Sequence, residues 1–322
     1  RLGGLPLVAS AGGRLAPAVE RAGGRNLLLA LDSKNPWRIW RNAAALERLI
    51  GAYHVDIVHA RSRAPAWSAL LAARRAGAHF VTTYHGSYNE QLPGKRRYNA
   101  VMAMGERVIA VSRFIAGLIA ARHGTDPARI RVIHRGVDPA VFDPELVGTD
   151  RQVRLLRAWR VQDGQTTLML PGRLTRWKGQ AVLIEALARM RHREAVVVLV
   201  GADQGRARYA AELADLAGRL GVAERLRIVG HCEDMPAALS LSDVVVNAST
   251  DPEAFGRVVI EAQAMARPVI ATDHGGAVET IEHGVTGWRV PPADPDALAA
   301  ALDHALDLSA ADRAALGAAA RA

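Results

Sequence analysis

Two stretches of the chain concentrate groups that can hold a negatively charged ligand. In PGRLTRWKGQ, residues 171–180, Arg173 and Lys178 lie five positions apart, and Gly179 precedes a helix start at Gln180. A glycine-bearing turn that opens a helix can aim cations and backbone N–H groups at an anion; the plain alternative is a solvated turn. In EAFGRVVIEAQA, residues 253–264, Glu253 and Glu261 lie eight positions apart around Phe255-Gly256. Apolar spacing predicts a helix over 257–266 with Phe255-Gly256 at its amino end, where free N–H groups carry partial positive charge and suit a phosphate. Glu253, before the helix, is placed to accept bonds from ligand hydroxyl groups. Glu261 lies beyond the first turn, so dipole complementation, worth about 0.3–1 kcal/mol, does not account for it; an i, i+4 pair with Arg257 would. A phosphate at a helix start with carboxylates on either side is a plan for binding a nucleotide diphosphate-sugar.

Those groups need elements that bring them together. VDIVHA (55–60), HFVTTYH (79–85), RVIAVS (107–112) and IRVIHRG (130–136) read as strands, with helices expected over 36–52 and 64–76. After residue 136, two Asp-Pro steps and few apolar runs predict a linker, with the domain junction near 140–165. The alternation resumes with TTLMLPG (166–172), AVVVLVG (195–201), LRIVG (226–230), DVVVNAS (243–249) and PVIATD (268–273). This rhythm predicts an α/β chain with two parallel-sheet domains covered by helices. Ligands in such sheets bind beyond the carboxyl ends of strands. His85-Gly86, Ser112-Arg113, Gly172-Arg173, Gly201, residues 247–253 and residues 273–276 all fall there, which predicts a cleft lined by both domains.

Composition narrows the classes. At 322 residues and 50% hydrophobic, the chain can bury two cores of ordinary size. Its longest apolar runs, such as AVVVLV, fall far short of the roughly 20 residues that a spanning helix needs. Residues 1–30 show no apolar leader with a cleavage site. A single cysteine, Cys232, excludes an internal disulfide, fits a reducing cytoplasm and reads as small filler. The net charge of +9 is uneven: residues 1–150 hold 21 Lys and Arg against 11 Asp and Glu, and residues 151–322 hold 20 against 21. The basic half suits nucleic acid, an anionic membrane surface or a phosphorylated substrate, or is a merely solvated surface.

Arg173-x4-Lys178 followed by Glu253-x7-Glu261 resembles the donor half of retaining GT-B glycosyltransferases, family four. The run EAFGRVVIEAQAMARPVIATDHGGAVETIEHGVTGWRV is similar to that family almost along its length, and VDIVHARS, FVTTYHG, VIAVSRF and VIHRGVD match it more loosely. The resemblance implies two Rossmann-like domains facing a cleft: an acceptor-side domain over 1–145, a nucleotide-sugar domain over 146–308, and the start of a C-terminal helix over 309–322. It also implies that Arg173 and Lys178 hold the donor diphosphate, and that Glu253 contacts the sugar hydroxyls. Phe255 and Gly256 would offer backbone N–H groups to the sugar, Val258 and Val259 would sit near the phosphates, and Glu261 would accept bonds from the ribose. Gly172 joins the donor-binding set. His85 would reach the sugar from the amino domain, where a satisfied turn histidine is the plain alternative. Ser112, Arg113, Gly275 and Gly276 are further cleft residues.

The activity implied is transfer of a sugar, with retention, from a nucleotide diphosphate-sugar to a glycan or glycolipid such as lipopolysaccharide. The basic half would suit such an acceptor at the inner face of a membrane, giving a cytoplasmic, peripherally associated enzyme with no cofactor beyond its donor. Cations and fixed N–H donors aimed at the leaving diphosphate would supply the main stabilisation. The one Asp-x-Asp triplet, Asp294-Pro295-Asp296, reads as a helix cap followed by a first-turn proline, so no catalytic metal is expected. Family members start with one more strand, a glycine-rich loop and a helix, and continue beyond AALGAAARA, so the resemblance implies a chain cut at both ends that lacks its first strand unit. A GT-B sugar epimerase would consume nucleotide-sugar without an acceptor. A nucleic-acid-binding protein would use the basic half, but aromatics make up 5% of the chain and no aromatic-interleaved basic strip is present. A nicotinamide enzyme would need a glycine fingerprint after its first strand, which this sequence does not contain.

Overall fold

The computed structural model describes residues 4–13, 15–88, 90 and 92–322, and the chain divides into two compact units, residues 1–133 and 134–322. The first contains β1 (Leu7–Ser10), β2 (Arg25–Leu28), β3 (Ile57–Ala60), β4 (His79–Tyr84), β5 (Arg107–Ala110) and β6 (Ile130–Val132). β1 and β2 pair with each other, and β3 to β6 form a four-stranded sheet in chain order; every pairing is parallel. Helices Pro36–Ala52 and Arg63–Ala76 pack together beside this sheet. Local chemistry sets the helix ends. The Asn35 carboxamide accepts from the Trp37 and Arg38 amides, and the Ser112 hydroxyl accepts from the Ile115 amide at 3.0 Å. Helices Arg63–Ala76 and Arg113–His123 stop at left-handed Gly77 and Gly124.

The second unit contains β7 (Thr167–Pro171), β8 (Val196–Val200), β9 (Leu226–Gly230), β10 (Val244–Asn247), β11 (Val269–Thr272) and β12 (Trp288–Val290). They form one parallel sheet in the order β12-β11-β10-β7-β8-β9. The chain winds outward from β7 to β9, returns beside β7 to lay down β10, and winds outward again. β7 and β10 therefore flank a topological switch point, where a crevice opens beyond the strand ends.

Both faces of this sheet are covered. Leu168, Leu170, Val197, Leu199, Val244 and Val246 join one core, with helices Gln180–Arg189, Ala207–Arg219 and Pro295–Asp307. Met169, Val196, Val198, Val200 and Val245 join the other, with helices Thr149–Trp159, Met235–Ser240 and Arg257–Ala264. Two-sided burial lets an unbroken apolar run still obey the period of two. The stretch expected as a linker is in part structured: the helix Thr149–Trp159 buries Trp159 in the second core. Arg151 of that helix lies 2.6 Å from Asp234, which caps the helix Met235–Ser240 through the Ala237 amide.

Candidate functional site

Three loops of the second unit leave the carboxyl ends of β7, β10 and β11. The first carries Gly172 and Arg173, makes a short 3-10 turn over Arg176–Lys178 and enters the helix at Gln180. Gly172 donates its amide to the Val200 carbonyl at 2.8 Å, and a Cβ on it would meet Lys178 Cδ at 3.4 Å, so the lysine stem lies along this glycine. Gly179 has φ +72°, and a Cβ there would stand 1.8 Å from the Ala248 carbonyl oxygen; glycine alone allows the turn to rest on the end of β10. Fully buried Gln180 donates Nε2 to the Arg173 carbonyl at 2.9 Å. The Arg173 side chain itself is exposed and has no hydrogen-bond or ion-pair partner among the described residues.

The loop after β10 is tied on both sides. Thr250 donates its amide to the Trp177 carbonyl at 2.8 Å, and the Ser249 carbonyl accepts from the Thr272 hydroxyl at 2.9 Å and from His274 Nε2 at 2.7 Å. This clamp sets Glu253 against Lys178: Oε1 and Nζ are 2.6 Å apart, with 12% and 14% of their side chains exposed. The Ser249 hydroxyl lies between Glu253 Oε1 and Asn247 Oδ1, 2.9 Å from the latter. Lys178 Nζ also sits 4.6 Å above the Trp177 ring. An ammonium offers three donors, so a phosphate oxygen can bind Lys178 while Glu253 keeps its bond.

Phe255 is buried and stacks on His134, ring centres 5.8 Å apart, and His134 Nε2 lies 2.9 Å from Glu279. Gly256, at φ +81°, precedes the helix Arg257–Ala264, which has no side-chain cap. Its first amides are therefore suited to a ligand anion. The loop after β11 supplies the bed. A Cβ on Gly275 would come within 2.6 Å of the Glu253 carbonyl oxygen, and one on Gly276 within 2.2 Å of the Ala254 carbonyl oxygen. Gly276 donates its amide to the Glu253 carbonyl at 2.8 Å.

The structure thus gathers Gly172, Lys178, Glu253, Gly275 and Gly276 at one point, with Phe255 and Gly256 continuing the same loop. Val258 is half-buried in the first helical turn. Val259 is fully buried in the core and donates its amide to the Gly256 carbonyl at 2.9 Å, so its contribution is packing. Glu261 makes the i, i+4 pair with Arg257 at 2.8 Å; burial pushes its carboxyl above the ordinary range, and Arg257 pulls it partly back. The Asp294 carboxylate accepts from the Asp296 and Ala297 amides, as a helix cap does. In the first unit, half-buried His85 follows β4, while fully buried Ser112 caps the helix that Arg113 begins. Sequence reasoning gave no role to Gln180, which it placed only as a helix start, or to Thr272, and it covered Ser249 and His274 only within the stretches 247–253 and 273–276. None stands out by type, and only NASTDPE and TDHGG, as polar stretches just after apolar runs, hinted at Ser249 and His274.

Residues 165–307 match the family described as Glycosyl transferases group 1, and residues 7–141 match Glycosyltransferase Family 4. A D-inositol 3-phosphate glycosyltransferase of Jonesia denitrificans is 31% identical over 272 residues, covering 78% of this chain; the chain spans 63% of that relative's length. A GDP-mannose-dependent alpha-(1-6)-phosphatidylinositol monomannoside mannosyltransferase of Mycolicibacterium smegmatis is 34% identical over 282 residues, covering 82% of this chain and 70% of the relative. A glycosyltransferase from Rickettsia africae superposes with a TM-score of 0.90 at 37% identity, over 99% of this chain and 85% of that one.

Proposed function

Because this chain belongs to the group 1, family four glycosyltransferases of the GT-B fold, we propose that it transfers a sugar from a nucleotide diphosphate-sugar to a glycan or glycolipid acceptor. The observation that carries this reading is the Lys178–Glu253 contact beside the uncapped helix Arg257–Ala264, at the switch point of the second sheet. Lys178 and Arg173 hold the diphosphate, the first amides of the helix add fixed dipoles, and Glu253 accepts from the sugar hydroxyls. When the anomeric bond breaks, negative charge grows on the diphosphate while the sugar gains oxocarbenium character. Preorganised cations and N–H groups stabilise that charge without rearranging, which is the main source of rate in such sites. Glu261 is assigned to the ribose, and His85 to the transfer step.

The finer reading is transfer with retention and without a metal, by a cytoplasmic chain in peripheral contact with an anionic membrane. Retention rests on the family resemblance alone. Metal-free transfer is supported by the Lys178 and Arg173 cations and by the use of the Asp-x-Asp triplet as a helix cap, and the membrane contact by the basic first half. The relatives named above act on inositol phosphate or on a phosphatidylinositol mannoside. A phosphorylated or lipid-linked acceptor, lipopolysaccharide included, is consistent with both. Calorimetry with UDP, GDP and their sugars tests donor binding, and E253A tests chemistry: the variant should keep its fold and lose transfer. Normal turnover by E253A overturns the assignment. Product stereochemistry by NMR tests retention, and turnover in excess EDTA tests metal independence.

A further inference from the structure

We propose that the first unit carries a separate anion-binding site for a phosphate-bearing ligand, in a basic cavity where β4, β5 and β6 begin. The cavity measures about 830 Å³ and is lined by Arg74, Arg96, Arg97, Arg122, His123 and Arg129, with no carboxylate on its wall. Its place follows from the chain path. Arg74 is near the end of the helix that leads into β4, Met104 precedes β5, and His123 to Arg129 lead into β6. His85 and Ser112 leave the opposite ends of β4 and β5, the ends at which such sheets bind substrate.

Three of the arginines are positioned by neutral acceptors. Arg96 donates to the Arg122 carbonyl, Arg122 Nη1 to the Tyr88 carbonyl at 2.9 Å, and Arg129 to the Gly105 carbonyl. Cations do suit helix C-termini, but a carbonyl orients a guanidinium without cancelling its charge. Arg74 and Arg97 are exposed and have no hydrogen-bond or ion-pair partner among the described residues. The nearby Glu90 lies 3.7 Å from His123 Nε2, is 13% exposed and also accepts from Asn99, so it sits behind the wall rather than on it. Burial holds His123 below its ordinary value, and Arg96 and Arg122 push the same way against Glu90.

Five guanidiniums around one concavity form a field that draws in anions, and planar guanidiniums pair with phosphate oxygens two at a time. The surroundings reinforce this, since residues 1–133 hold 20 Lys and Arg against 7 Asp and Glu. A phospholipid headgroup and a soluble phosphate compound share the chemistry that fits.

The test uses the full chain with R173A and K178A in the background, so that the proposed donor site does not report. Pyrophosphate is titrated by calorimetry at low salt, and flotation is measured with phosphatidylcholine vesicles with and without phosphatidic acid. R74Q/R97Q is expected to weaken whichever probe binds by at least about tenfold, as loss of charged hydrogen bonds does. R38Q/R41Q, which removes the same charge from the helix Pro36–Ala52, is expected to change it little. Loss of pyrophosphate binding alone identifies a soluble ligand, and loss of flotation identifies a headgroup. Failure of the parent to bind either probe, binding by R74Q/R97Q at parental strength, or an equal loss in R38Q/R41Q overturns the proposal.

Discussion

The two units use the same alternation of strand and helix, yet the sheet of the second is covered while the two sheets of the first are partly bare. β7, β8, β10 and β11 are buried from end to end, whereas β1, β2, β3 and β6 fully bury only Ala60. Of fifteen exposed large hydrophobic side chains among the described residues, eleven lie in the first unit. The means of holding the loops differ as well. In the second unit, backbones approach so closely at Gly179, Gly201 and Gly276 that a methyl group has no room. In the first, one such approach at Gly105, where a Cβ would stand 2.6 Å from the Arg107 carbonyl oxygen, is joined by caps such as Ser112 and arginine–carbonyl bonds that set the ends of the elements. A site made by backbone contact is stiff and intolerant of change, while one made by side chains on open elements can vary.

The sharpest way to break this contrast is to add one methyl group to each unit. G179A and G201A would place a Cβ 1.8 and 1.9 Å from carbonyl oxygens and should cost at least about 4 kcal/mol, read as a collapse of the melting temperature. G117A, on an open helical face of the first unit, should be neutral or gain up to about 1 kcal/mol. Next comes function against support. K178A should lower kcat by about 10²- to 10³-fold, whereas S112A should cost about 1 kcal/mol in denaturant unfolding and leave UDP affinity unchanged. Strand burial is tested by a hydroxyl. V245T in the covered sheet should cost about 1–3 kcal/mol, and V132T on β6, 40% exposed, should stay within about 0.5 kcal/mol.

The smallest effect belongs to Glu261. Burial raises its folded value above the unfolded one, so its charge opposes folding at neutral pH, and that penalty fades as pH falls through the folded value. E261Q should therefore be at least as stable as the parent at neutral pH. The gap between them should close on acidification, followed by thermal melts across pH.

The carboxyl-end loops were legible because Gly, Arg, Lys and Glu stand immediately after apolar runs, and the buried strands because both their faces are apolar. Most expected strands overran the observed ones by one to three residues, IRVIHRG by four because β6 ends at Val132, while LRIVG matched β9. The helix expected over 257–266 stops at Ala264, with Ala266 turned left-handed at φ +53°. RNLL and WRV, which form β2 and β12, are too short to show a period. The helix Thr149–Trp159 was hidden by Arg151, Arg154 and Arg157, which leave it a narrow apolar face at Leu155, Leu156 and Trp159. Strand order and the meeting of Lys178 with Glu253, 75 positions apart, depend on how the sheet winds, and no local pattern encodes that.

The contact between Lys178 and Glu253 means that the resting pocket brings its own counterion. A bare inorganic anion can take one of the remaining ammonium donors, but it meets a charge already partly neutralised by the carboxylate and gives that carboxylate nothing in return. A ligand that arrives with hydroxyl groups beside its phosphates offers both partners new bonds at once. On the donor-site reading proposed above, discrimination against the abundant simple phosphates of a cell is thus built in before any substrate enters.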